Sequence, residues 1–130
     1  MPRRQARKFA ALAAVAWTMS DNTFVDAPAQ LILDAERRAA RIVVTAPAVD
    51  LLVLGPVEGL LAKAAGPDLQ RLEIDLSSVS FADSAVVRLA MRARESVAPA
   101  GGQVVIRAPA EVRRLFELTR TADLFAIVPA

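Results

Sequence analysis

Short apolar runs separated by polar punctuation recur along most of this chain, and their spacing alternates between a period of two and one near 3.6. Gln30–Glu36 (QLILDAE) and Arg41–Thr45 (RIVVT) are brief apolar runs split by a charged stretch, which predicts a hairpin or two adjacent strands. After Pro47, the segment Asp50–Ala65 carries Leu54, Val57, Leu61 and Ala64 near helical spacing. Gly55-Pro56 places the regular start of that helix near Pro56, and Gly66-Pro67-Asp68 ends it. In Arg71–Leu76, Leu72, Ile74 and Leu76 alternate with Glu73 and Asp75, the signature of a strand. The loop SSVSFADS follows, with Asp83 or Ser84 positioned to cap a helix from Ala85 to Val97. On that helix Val86, Leu89, Ala90, Ala93 and Val97 form the predicted buried stripe, and Arg88, Arg92 and Glu95 another face. Pro99-Ala100-Gly101-Gly102 is a stop. Gln103–Arg107 is a further strand, and Ala110–Thr119 a helix with Val112, Leu115, Phe116 and Thr119 inward. Phe125–Val128 is a last apolar run suited to a sheet edge.

The succession β-β-α-β-α-β-α-β predicts an α/β fold, with a mixed sheet of four or five strands and helices packed on it. Helices joining strands of this length imply right-handed crossovers between parallel neighbours. No repeat or linker interrupts the pattern from residue 29 to residue 130, which is read as one domain.

Composition narrows the chemistry. Of 130 residues 55% are hydrophobic and 23% charged, which is enough for a buried core. Cysteine, histidine and tyrosine are absent, so thiol or imidazole nucleophile pairs and Cys/His zinc sites are excluded. The serines of SSVS have no base nearby, and GPVEGLL and GGQ lack the lysine and order of a phosphate loop. The acids are not clustered, so no metal or other cofactor is implied, and the chain is read as a binding protein without enzymatic activity. The net charge of +2 conceals an asymmetry, because Arg3, Arg4, Arg7 and Lys8 lie in the first eight residues. Beyond residue 18 the chain carries 12 basic against 14 acidic groups, a balance that disfavours nucleic acid as a partner.

Residues 1–28 form an extension that is basic and then apolar, the apolar part being Phe9–Met19 (FAALAAVAWTM). Eleven residues fall short of the roughly 20 that span a bilayer, so stable membrane insertion is not expected. Three readings stand for residues 1–18: an upstream extension with the natural start at Met19, a helix docked on the body or on a neighbour, or a cleaved signal. Under the first, a chain starting at Met19 keeps its full stability.

The ordered set of motifs from Leu72 onward resembles a STAS domain, the fold of bacterial anti-sigma factor antagonists. That family has a strand of the type L-x-L-D-L-S, then G-V-x-F-x-D-S-S-G-L entering a helix, a GG turn, an apolar strand, and a helix with L-E-L-T-G. The matching residues here are Asp75, Leu76, Ser77, Val79, Phe81, Asp83, Ser84, Gly101, Gly102, Leu115, Leu118, Thr119, Leu124 and Phe125. Upstream, PAVDLLVLGPVEGLL resembles the family's G-E-L-D-x-x-x-A-P-x-L, with Asp50 and Pro56 in register. The resemblance covers residues 30–129.

The resemblance implies a cytoplasmic module of partner-switching transcription regulation, whose dephosphorylated form binds an anti-sigma factor that is also a serine kinase. The kinase modifies the second serine of the D-S-S-G tetrad. A phosphate at a helix amino terminus is held by unpaired N–H groups and the helix dipole, and its charge switches docking there. Here the tetrad reads Asp83-Ser84-Ala85-Val86, so the usual acceptor is Ala85, which has no hydroxyl, and the usual glycine is Val86. Ser84 offers a hydroxyl one position early, with a plain helix cap as its simpler role. The family's L-T-G is Leu118-Thr119-Arg120, which predicts loss of a left-handed glycine cap. Partner contacts are assigned to Asp50, Phe81, Asp83, Ser84, Ala85, Val86, Arg88 and Arg92, with capping as the alternative role for Asp50 and a solvated helix face for the two arginines. Some STAS proteins instead serve as accessory subunits of ABC-type lipid transporters, binding the ATPase subunit without a phosphoacceptor, and Ala85 raises that alternative. A homodimer is left open.

Overall fold

The computed structural model describes residues 22–34 and 38–130. The readings of residues 1–18, and of Ala35 and Glu36 as the end of the first strand, lie outside the described residues. The main sheet has six strands, more than the four or five expected: β1 (Asn22–Asp26), β2 (Ala29–Asp34), β3 (Ala39–Val44), β5 (Arg71–Asp75), β7 (Gln103–Ala108) and β8 (Ala126–Pro129), in that spatial order. β1, β2 and β3 pair antiparallel, whereas β3, β5, β7 and β8 run parallel. The sequence pattern assigns β1 to the extension of residues 1–28. It pairs with β2 through five residues, so the sheet begins at residue 22. Two further strands, β4 (Ala48–Val49) and β6 (Phe81–Ala82), form a separate two-residue parallel ladder.

Among the described residues three helices complete the crossovers: α1 (Leu51–Ala64), α2 (Ala85–Val97) and α3 (Ala110–Leu118). Their buried stripes meet one face of the sheet, where Leu31, Ile42, Leu72, Ile74, Val104 and Ile106 are at most 3% exposed. The alternation is strict because successive strand residues point to opposite faces. Phe116 of α3 is fully buried and meets Phe125 edge-on, with ring centroids 5.7 Å apart.

Two element ends depart from the sequence reading for identifiable reasons. α1 begins at Leu51, not near Pro56. The Asp50 carboxylate accepts hydrogen bonds from the Leu52 and Val53 amides, at 2.9 and 3.3 Å, and so starts the helix one turn early. Pro56 therefore sits inside α1, where it forfeits one bond near the exposed end. α3 ends at Leu118, and Thr119 is exposed, its hydroxyl turned back to the Leu115 carbonyl at 2.8 Å.

The left-handed cap after α3 survives without its glycine. Arg120 has φ of 59°, its amide donates to Glu117 and the Thr121 amide to Phe116, which is the paired closure of a Schellman turn. A side chain in this conformation costs about 1–2 kcal/mol. Arg120→Gly is therefore expected to stabilise the protein by about 0.5–1 kcal/mol, part of the relief being offset by glycine's greater unfolded-state entropy. Urea denaturation measures it. The GG turn is better matched to its sequence: Gly101 has φ of 64°, and a Cβ on Gly102 would lie 2.5 Å from the Gln70 carbonyl oxygen.

Candidate functional site: two helix amino termini joined by a short ladder

β3 and β5 are parallel neighbours, so their carboxyl ends leave the sheet at the same edge. Each feeds a loop that carries one strand of the small ladder and then a helix: β4 into α1, β6 into α2. The ladder pairs Ala48 with Phe81 and Val49 with Ala82. The Pro47 carbonyl accepts from the Ser80 and Phe81 amides at 2.8 and 3.2 Å, and the Val49 carbonyl from Asp83 at 3.3 Å. The amino termini of α1 and α2 are thereby held side by side, the usual place for binding in sheets of this kind.

Both termini are capped by aspartate. Asp50 caps α1 as described, and Asp83 Oδ1 accepts from the Ala85 amide at 2.8 Å. Ser84, the residue preceding α2, makes no capping bond with its side chain, and it is exposed. The simpler role expected for Ser84 therefore belongs to Asp83. Ala85 and Val86 do not reach the surface. They are 4% and 1% exposed, so neither side chain is available to a partner, and Val86 is part of the core. Phe81, in contrast, is 62% exposed.

The structure brings Asp50, Phe81, Asp83 and Ser84 together at this end, with Ala85 and Val86 beneath and Arg88 exposed one turn along α2. Arg92 lies a further turn away. It stands 3.9 Å from Glu58 of α1 and 3.6 Å from Glu95, so it bridges the two helices on their outer face. Such half-exposed pairs contribute little to stability. Sequence reasoning missed Leu51 and Leu52, which are 70% and 86% exposed on the first turn of α1. Recognising Asp50 as the cap was the signal that would have placed them there, outside the stripe that begins at Val53.

A charged cluster supports the site from behind. Asp75, the last residue of β5, accepts from the Ser77 amide at 2.9 Å, from the Ser77 hydroxyl, and from Arg41 of β3. Glu73 lies between Arg41 and Arg107, at 3.3 and 3.1 Å. Burial pushes the Glu73 carboxyl up, against the pull of both arginines. For Asp75 burial acts in the same direction, but the bonds from Ser77 and Arg41 together outweigh it and hold its pKa below the usual carboxylate range. A lowered folded-state pKa stabilises the protein above the unfolded value of 3.8, and the gain is lost as pH falls through the folded value. Asp75→Asn is accordingly expected to lower stability at neutral pH, by a difference that shrinks as pH falls through the folded value. Paired urea titrations at about pH 7 and pH 3 check the sign.

Among the described residues no group of three or more acidic side chains could hold a metal ion, and no helix is long and apolar enough to cross a membrane.

No curated protein matches the sequence. Solved structures that share the fold include two relevant ones. One is the anti-sigma factor antagonist SpoIIAA in its unphosphorylated form, 16% identical over 71% of this chain and 79% of that one, with a TM-score of 0.59. The other is a candidate anti-sigma factor antagonist of Thermotoga maritima, 12% identical over 86% of this chain and 87% of that one, with a TM-score of 0.57. The family model described as "Mlab, STAS domain" matches residues 33–129, about three quarters of the chain, and the chain therefore belongs to the STAS domain family.

Proposed function

We propose that this protein is a cytoplasmic interaction module of the anti-sigma factor antagonist type, which binds an anti-sigma factor of the serine kinase class through the joined amino termini of α1 and α2. One observation carries this reading: Leu51, Leu52 and Phe81 are exposed around two capped helix ends held in fixed relation. Exposed apolar side chains on a rigid, polar-rimmed platform are the usual anchors of a protein interface. The family consists of binding domains, and the docking surface needs no cofactor.

Regulation at this surface differs from the phosphorylation switch of the family. Ala85 has no hydroxyl and is buried, so the protein behaves as a permanently dephosphorylated antagonist. The burial also changes how the switch is to be tested. Ala85→Asp would place a carboxylate inside the fold and confuse docking with folding. Ser84→Asp is the cleaner variant, because position 84 is exposed and aspartate is well tolerated before a helix. It is expected to weaken partner binding about tenfold with unchanged melting, since a charge must be desolvated beside Phe81. Calorimetric titration with purified anti-sigma kinases from the same genome measures both affinities. An affinity indifferent to Ser84→Asp places the docking surface elsewhere. Phosphate found on Ser84 after incubation with kinase and ATP would mean that the switch persists one residue early.

Ala85 favours a second reading, an accessory subunit of an ABC-type lipid transporter that docks on the ATPase subunit and needs no acceptor. Titration with the ATPase subunit in place of the kinase separates the two.

A further inference from the structure

The face of the sheet opposite the described helices is closed to water over its centre, although Val25 at its β1 edge is 66% exposed. The buried stripes of all three described helices pack into the cluster on the other face. On this face, which none of the described helices covers, Val105 is 2% exposed, Ala126 3%, Ile32 4% and Glu73 5%. Val105 and Ala126 pair across β7 and β8 and form a small apolar cluster of their own, with Val128 against it. Ile32 lies beside Arg41, and the stems of Arg41 and Arg107 add apolar surface between these groups as their heads hold Glu73. Burial this complete requires a cover. The raised pKa of Glu73 agrees with a carboxylate shielded from water.

We propose that the apolar segment Phe9–Met19 of the same chain covers this face. It has the right character, with one polar residue in eleven. It has the right origin, because two residues separate it from β1, whose Thr23 is paired with Ile32 at the border of the face. It also has the reach: the buried groups lie on β2 to β8, four spacings or about 19 Å across, and eleven residues run about 16 Å between backbone ends as a helix, with side chains reaching beyond, and about 36 Å extended. The STAS fold then keeps one face for its helices and closes the other with its own leading segment. The helix-terminus edge is left free for a partner.

Trp17 is the sole tryptophan and lies within the segment, so its fluorescence in the full chain reports docking directly. The expected result is a blue-shifted emission that iodide quenches several-fold less in native protein than in urea. Val15→Asp, within the segment, and Val128→Asp, on the receiving face, are each expected to restore quenching while the far-ultraviolet circular dichroism is retained. A chain starting at Met19 is expected to melt more than about 5 °C lower, whereas reading Met19 as the natural start predicts no change. Native emission as quenchable as that in urea, or unchanged melting of the shortened chain, overturns the proposal. Protection that vanishes on dilution overturns it as well, by assigning the cover to a second copy.

Discussion

Replacing Phe81 with aspartate is expected to weaken capture of the partner by about a hundredfold while leaving the melting temperature almost unchanged. The side chain is 62% exposed, so little packing is lost when it is removed. Its backbone is fixed by the ladder to Ala48 and by the bond to Pro47, neither of which depends on the side chain. The ring stands next to two helix ends where Asp50 already accepts from the Leu52 and Val53 amides and Asp83 from the Ala85 amide. Affinity at such an edge therefore comes mainly from apolar burial, and losing a central aromatic anchor costs about 2–4 kcal/mol. Leu52→Asp is expected to behave alike, because Leu52 is the most exposed of the three anchors. Surface plasmon resonance with immobilised partner, beside a thermal melt of each variant, reads both quantities. A fall in affinity accompanied by an equal fall in melting would assign Phe81 to the fold and not to the interface.

The largest effect on stability is expected at the opposite kind of position. Phe116 has no exposed surface, and its ring meets Phe125 edge-on, so it joins α3 to the segment that leads into β8. Phe116→Ala removes most of a fully buried ring and leaves a cavity that neighbouring strands cannot close. The cost is about 3–5 kcal/mol, which lowers the melting temperature by roughly 10–20 °C in a domain of this size. Phe116→Leu keeps most of the volume and should cost less than half as much. Partner affinity, measured well below the melting point, should be retained in both. Differential scanning calorimetry gives the stability change. A loss of only a few degrees in the alanine variant would show that α3 is not integral to the core.

The elements that were legible in the sequence were those whose hydrophobic period is long and regular. α2 was readable over its full Ala85–Val97 length because five stripe positions and a capping aspartate agree. β5 was readable because Leu72, Ile74 and Leu76 alternate with charges, although Glu73 and Asp75 proved to be buried and not solvated. Their burial depends on Arg41 and Arg107, which reach them from neighbouring strands and leave no trace in local spacing. β1 was not legible, since its stability comes from pairing with β2 and its own residues are mostly exposed. The start of α1 was misplaced because Gly55-Pro56 outweighed the Asp50 cap in a local reading, and that error hid Leu51 and Leu52.

At the site, the motif located Phe81, Asp83 and Ser84 correctly at a helix entrance. It could not reveal which of them face water. Ala85, where the resemblance expects a hydroxyl, lies inside at 4% exposure, and local spacing carries no sign of that. Arg92, matched to Arg88 by helical spacing, is drawn away by Glu58 of a different helix. Only tertiary structure carries that information.

The central claim is that the partner docks on the joined amino termini of α1 and α2. Amide chemical shifts of the isotope-labelled protein, recorded as unlabelled partner is added, test it most directly. The predicted result is a footprint confined to Asp50–Val53 and to Phe81–Arg88. Shifts centred instead on Glu58, Arg92 and Glu95, or on the β1 and β8 edges of the sheet, would contradict it.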